Sequence, residues 1–124
     1  MKQWVRFRFN NQEKFGMLVD EEIQIHTGDM FSRPSKTDEK FKFAECDLIN
    51  PCKPSKIIAL WNNYKTLASE KNLSKPDNPL YLNKAVSSII NIGDNIIRPK
   101  SYKEAIFYEG ELGIVIGKVA KDIE

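Results

Sequence analysis

The stretch FYEGELGIVIGK, residues 107–118, holds the strongest chemical signal in this chain. Glu109 and Glu111 lie two apart, and an apolar, glycine-spaced run follows them. In a β-strand such residues point to the same face, and at a rise of about 3.3 Å per residue their backbones stand roughly 6–7 Å apart. Glutamate side chains can close that gap on one cation. A hard dication such as Mg2+, Mn2+ or Ca2+ takes oxygen ligands, and carboxylates supply the oxygens together with compensating charge. The β-branched run Ile114, Val115 and Ile116 predicts the clearest strand in the chain. By itself E-x-E is a common pattern that more often marks two glutamates facing water, and the metal reading needs its neighbours.

The composition narrows what such a motif belongs to. A chain of 124 residues makes one domain, or one small domain and part of a second. With 41% hydrophobic and 29% charged residues it is globular in make-up rather than disordered. The 19 basic and 17 acidic residues are interspersed, so the net charge of +2 forms no basic patch, which argues against a nucleic-acid surface. No apolar run approaches bilayer-spanning length, which argues against a membrane partner. The opening MKQWVRFRF lacks the pattern of a secretion signal. Cys46 and Cys52 are too few for a disulfide scaffold and lack metal-ligand spacing, so a cytoplasmic location is expected.

The first third reads as strands and turns. WVRFRF sets Trp4, Arg6 and Arg8 on one face and Val5, Phe7 and Phe9 on the other, the period of a half-buried strand. NNQ predicts a turn, KFGMLVD a second strand, and EEIQIHTGD a third that turns at Gly28-Asp29. Residues 30–43 are polar, contain Pro34 and read as an irregular surface connection. His26, the only histidine, reads as a surface residue. Further on, KIIAL suits a buried strand, and Trp61 beside it reads as core packing first and as lining of a pocket mouth second. YKTLASEKN carries helix formers for about two turns, capped by Asn62 or Asn63. LSKPDNP breaks that helix, LYLNKAVSSII is extended, GD at 93–94 turns, and NIIRP is a short strand end.

The runs PSKIIALWNNY (54–64), ASE (68–70), NPLYLNKAVSSI (78–89), RP (98–99) and YEGELGIVIGKVAK (108–121) follow one another in the order and spacing of the fumarylacetoacetate hydrolase family. The resemblance covers roughly residues 48–121. The opening third resembles the small β-rich N-terminal region of many bacterial members, in which a strand such as GMLVD precedes a turn such as GDMF. The resemblance implies a mainly β (α+β) chain. Residues 1–47 would form the small N-terminal domain, and 48–124 an incomplete mixed β-sandwich roll whose mouth binds Mg2+ or Mn2+. It implies a metal-dependent hydrolase, isomerase or decarboxylase acting on small oxo- or hydroxy-dienoic acids, the cation stabilising oxyanion charge as it develops. By motif position Glu109 and Glu111 are two of three metal ligands. Lys84 in LYLNK corresponds to the lysine near the substrate, and Glu70 in ASE to the acidic member of a His-Glu pair on a lid helix that activates water.

Two departures qualify the match. The lid of hydrolytic members reads N-Y-x-x-H-A-x-E, whereas NYKTLASE puts Leu67 in the histidine's place. Leucine cannot carry a proton, so decarboxylation, tautomerisation or enol hydration is favoured over histidine-activated hydrolysis. The third metal carboxylate of the family is an aspartate well beyond E-x-E, and Asp122 does not match it. The chain therefore reads as the N-terminal portion of a longer enzyme, or as an inactive remnant acting as a binding or subunit-interaction module. In either case, strands over 105–120 without partners predict self-association as a dimer, or completion by another chain.

Overall fold

The alternation of Val5, Phe7 and Phe9 with Trp4, Arg6 and Arg8 produces the first strand of an antiparallel sheet, β1 (Gln3–Phe9). The computed structural model describes residues 3–123; Met1 and Lys2, which begin the stretch searched for a secretion signal, and Glu124 lie outside the described residues. β1 pairs with β2 (Gln12–Val19) from Gln3↔Leu18 to Phe9↔Gln12. The turn between them is Asn10-Asn11, both at positive φ (48° and 60°). A two-residue hairpin needs that conformation, and asparagine tolerates it better than other side chains. β3 (Glu22–Asp29) follows and pairs with β2 from Phe15↔His26 to Val19↔Glu22. At its end Gly28 takes φ +88°, and the Phe31 N–H donates to Asp29 Oδ1 at 2.9 Å, closing the predicted Gly-Asp turn.

Residues 30–43 do not form the irregular connection expected of them. Ser32–Lys42 is β4, an eleven-residue strand paired with β3. The free edge of β3 offers a row of backbone donors and acceptors, and satisfying them outweighs the weak strand propensity of a polar sequence. Side chains reinforce the pairing: Gln24 Nε2 donates to the carbonyls of Thr37 (2.8 Å) and Glu39 (2.9 Å), and Thr37 Oγ1 donates to Ile25 O (3.1 Å). Register shifts near Gln24/His26 and Thr27/Asp29 absorb the mismatch. Lysines and Pro34 suit an edge strand, where they discourage pairing with other chains. The two-residue β5 (Asp47–Leu48) lies against the other side of β1, so the strand order is β4-β3-β2-β1-β5.

One face of this sheet holds the core. Phe7 and Ile23 are fully buried and Ile25 nearly so, ringed by Val5, Phe9, Leu18, Phe41, Phe43, Cys46 and Leu48. Phe41 reaches across to Phe9 (ring centroids 4.5 Å) and Phe7 (5.9 Å). Burying a phenylalanine side chain contributes roughly 1.5–3 kcal/mol. Gly16 lets β3 approach: a Cβ there would stand 2.7 Å from Ile23 Cγ2 and run into the Gln24 backbone.

The other face overturns the surface reading of His26, which is buried with only 7% of its area exposed. Trp4 covers it edge-on (4.7 Å, 69°) and in turn meets Phe15 (6.2 Å). His26 Nδ1 lies 2.9 Å from Gln24 O. A carbonyl only accepts, so Nδ1 is the nitrogen that carries the proton.

Lys53–Ile89 forms a separate unit from the chain on either side of it. Its two-stranded sheet pairs β6 (Ile57–Trp61) with β7 (Leu80–Lys84), from Ile57↔Lys84 to Trp61↔Leu80. Between them lies α1 (Lys65–Glu70), shorter than the predicted helix. Neither Asn62 nor Asn63 caps it; Tyr64 occupies the N-cap, and its side chain makes no capping hydrogen bond to the helix. Asn62 instead adopts φ +53° and turns its amide to the loop beyond the helix. Trp61, expected inside, is 52% exposed.

The strands predicted at NIIRP and over Ile114–Ile116 do not form, and no residue from 91 to 123 is assigned to a strand. Strand propensity acts only through a paired neighbour, and no described strand pairs with this segment. The Gly93-Asp94 turn is present: Asp94 Oδ2 accepts from the Asn91 N–H (2.7 Å), and Gly93 has φ +86°. Among the described residues no helix is long and apolar enough to cross a membrane.

Candidate functional site

Glu109 and Glu111 are exposed and sit on irregular chain, so no pleat dictates that they share a face. Gly110 between them and Gly113 beyond have nothing within 4 Å of where a Cβ would stand, so the backbone around the pair is open. The donors are of the right kind for a hard dication. Magnesium is commonly held by one or two carboxylates, with water and substrate oxygens completing its octahedron. In number the set is short: among the described residues no group of three or more His, Cys, Asp or Glu side chains is placed to hold a metal ion. The pair fits as part of a cage and not as a whole one.

The other two predicted residues belong to the Lys53–Ile89 unit. Glu70 is the last residue of α1 and is exposed. Three hydrogen bonds follow it, from Lys71 N to Leu67 O (3.1 Å), Asn72 N to Ser69 O (3.1 Å) and Leu73 N to Ala68 O (2.8 Å), and these close the helix directly behind the carboxylate. Lys84 ends β7 opposite Ile57, where pairing fixes its backbone and leaves the side chain exposed. Leu67 lies on α1, 41% exposed, in the position of the expected histidine. His26, the chain's only histidine, lies in the five-stranded sheet of the other unit, under Trp4.

Several charged groups are engaged in structural pairs. Arg6 donates to Asn50 O (2.7 Å) and pairs with Glu13 (2.9 Å), while Lys40 pairs with Glu22 (2.8 Å) and Lys14 with Glu39 (3.2 Å). Arg98 donates to the carbonyls of Tyr102 and Glu104 (3.4 and 3.0 Å). Burial, and then the carboxylates of Glu45 and Asp47, push the Cys46 thiol above its usual pKa. Its S–H also points at Lys42 O (3.4 Å), so the group is kept protonated and poorly nucleophilic. Cys46 and Cys52 form no disulfide. Asn62 was missed as more than a helix cap. The signal was its place in an Asn-Asn pair leaving a strand, where left-handed turns are favoured.

Comparison with known proteins gives these positions a context. A family model described as fumarylacetoacetate (FAA) hydrolase C-terminal matches residues 56–124, and one described as Rv2993c-like, N-terminal, matches residues 2–51. The fumarylacetoacetate hydrolase domain-containing protein 2 homolog of Dictyostelium discoideum is 35% identical over 86 residues, 69% of this chain and 28% of that protein. The mitochondrial oxaloacetate tautomerase Fahd2a of Rattus norvegicus is 39% identical over 72 residues, 58% of this chain and 23% of that protein. The crystal structure of 2-hydroxyhepta-2,4-diene-1,7-dioate isomerase from Mycobacterium marinum superposes with a TM-score of 0.58 at 17% identity, covering 71% of this chain and 34% of the other, a likeness of fold. The chain spans less than half the length of the curated relatives it matches.

Proposed function

This chain belongs to the fumarylacetoacetate hydrolase family, and on that premise we propose that it serves a divalent-metal-dependent reaction on a small oxo- or hydroxy-dienoic acid. The observation that carries the reading is the Glu109-Gly110-Glu111 pair, exposed on open backbone inside the matched region. In the proposal these glutamates provide two of the oxygen donors for Mg2+ or Mn2+, with Ca2+ as a further possibility on the same donor chemistry. When bound, the ion supplies positive charge where an enolate oxygen develops.

The chain's own residues take the remaining roles. Lys84 offers a cation to the substrate's carboxylate. Glu70 moves a proton on and off carbon or the enol oxygen, as a carboxylate does when placed against an acidic C–H. Leu67 holds no proton, so tautomerisation, isomerisation or decarboxylation fits better than hydrolysis by an activated water. The relatives named as a tautomerase and an isomerase support that preference. A cytoplasmic setting belongs to the same proposal, as does completion of the site by a second copy or a separate chain.

A second reading has its own support. Leu67 and the two-member acidic set both favour a catalytically inactive binding or subunit-interaction module. Calorimetric titration with Mg2+ and Mn2+ separates the two. The enzyme reading expects measurable binding that weakens about tenfold or more, some 1.4 kcal/mol, in both Glu109→Gln and Glu111→Gln. Absent binding, or binding unchanged by either substitution, removes the metal role and leaves the module.

A further inference from the structure

A glycine is used either to take positive φ or to let another group come close. Gly28 and Gly93 are the described glycines at positive φ, and Gly117 is not among them. Its use is close approach: a Cβ there would stand 3.2 Å from Phe31 Cβ and 3.8 Å from Cγ and Cδ1. Both residues belong to the unit made of residues 1–52 and 90–124. Phe31 sits at the tip of the β3–β4 hairpin, between the paired residues Asp29 and Ser32. Asp29 Oδ1 holds its N–H at 2.9 Å, and Arg33 beyond it is fixed at φ +52°. The ring is 41% exposed and stands outside the core cluster, so it does not serve to fill that core. Upstream, residues 98–105 close on themselves. Arg98 Nη1 donates to Tyr102 O (3.4 Å) and Glu104 O (3.0 Å), Tyr102 Oη to Ala105 O (3.4 Å), and the Tyr102 N–H to Pro99 O (3.0 Å). The stretch 106–116 therefore runs from a closed loop to a contact with the hairpin tip, with Glu109 and Glu111 between the two.

We propose that Phe31 anchors this segment through Gly117 and is the positioning residue for Glu109 and Glu111. Six residues separate Glu111 from Gly117, a reach of at most roughly 20 Å. Pinned at Gly117, the two carboxylates are confined near the hairpin tip; released, they range as a chain end does. Confinement removes in advance part of the conformational freedom that bringing two glutamates onto one ion would otherwise cost. Gly110 and Gly113 meet no described atom within 4 Å, so the pair keeps room to turn between its fixed ends. The five-stranded sheet thus takes part in the site without supplying a donor: it decides where the donors are held. The significance for a metal rests on the function proposed above; the anchor itself does not, and its test uses no metal.

Backbone amide order parameters from NMR relaxation on the full chain provide the test, with β1 and β2 as the rigid reference. In the wild-type chain the Gly117 amide is expected at about 0.85, the rigid range, and those of Glu109 and Glu111 above about 0.6. Phe31→Ala removes the ring, and Gly117→Val forces the segment off it from the other side. In both variants the amides of Glu109, Glu111 and Gly117 should fall below about 0.6, the flexible range, while β1 and β2 keep their values. Phe31→Tyr keeps the ring and should restore the wild-type order. A Gly117 amide already below about 0.6 in the wild-type chain overturns the anchor. So does order retained in both loosening variants, a loss shared equally by β1 and β2, or no rescue by tyrosine. Loosening at Gly117 that leaves Glu109 and Glu111 unchanged overturns the positioning role. Should Gly117→Val fail to fold, Phe31→Ala and its tyrosine rescue decide.

Discussion

The apolar side chains of residues 5–49 and those of 106–119 are alike in kind and opposite in fate. Phe7 and Ile23 have no exposed area, whereas Ile114 and Ile116 are 77% and 72% exposed. The first set lies on strands joined by tight turns, so each partner arrives within a few residues and the loop to be closed is short. The second set has every local preference for a strand and no described strand beside it. The difference teaches that an apolar, β-branched run is half of an interaction. Burial requires a backbone edge to complete it, and only the N-terminal sheet brings its own.

The sharpest way to break this comparison is at Phe7. Truncating it in Phe7→Ala should cost about 3–5 kcal/mol, enough to unfold a small sheet, as read by circular dichroism on melting. A loss below about 1 kcal/mol would mean that the core is not where the burial places it. Next comes Gly16→Ala, whose new methyl meets Ile23 and the Gln24 backbone. Overpacking of this sort costs about 1–3 kcal/mol, visible as a lower midpoint in urea with the slope retained.

Cys46, which packs against the same core, tests how tightly that core closes at its edge. Burial first, then Glu45 and Asp47, raise its thiol's pKa in the folded state. The folded chain therefore holds this proton more tightly than the unfolded one. The stability linked to it is whole below the unfolded thiol's range and declines as pH rises through the folded value. Iodoacetamide at about pH 8.5, the ordinary thiol range, should modify Cys46 severalfold more slowly than a cysteine peptide, by mass spectrometry. Equal rates would place the thiol in open water.

The smallest expected effect is the most telling for the comparison. Ile114→Lys should change stability by no more than about 0.5 kcal/mol, because there is little burial to lose. It should also weaken self-association in sedimentation at micromolar concentration, if the exposed run is what copies of the chain share. A loss rivalling Phe7→Ala would show that the segment is already packed and would end the contrast between the regions.

The same contrast sorts what was readable in advance. The period-2 alternation at Val5, Phe7 and Phe9 and the Asn10-Asn11 turn located the first hairpin, since both signals are local. His26 was misread because polarity suggests a surface, while burial depends on Trp4 from another strand. Ser32–Lys42 was misread because its polar residues pair through backbone groups that every residue carries. Glu109, Glu111, Glu70 and Lys84 were singled out through motif spacing, and no propensity could have placed them. The bond from Asn62 to Ser74 went unread because it spans a loop whose closure is not written in either residue.

By itself the sequence determined the family, the alternating strands and the acidic pair, because each depends on residue order over a few positions. Tertiary structure decided that a polar stretch becomes an edge strand, that the only histidine is covered, and that the most strand-like run forms none. Each of those outcomes turns on whether a partner edge or ring arrives from elsewhere in space, and hydrogen bonds and burial are counted only once both partners are present.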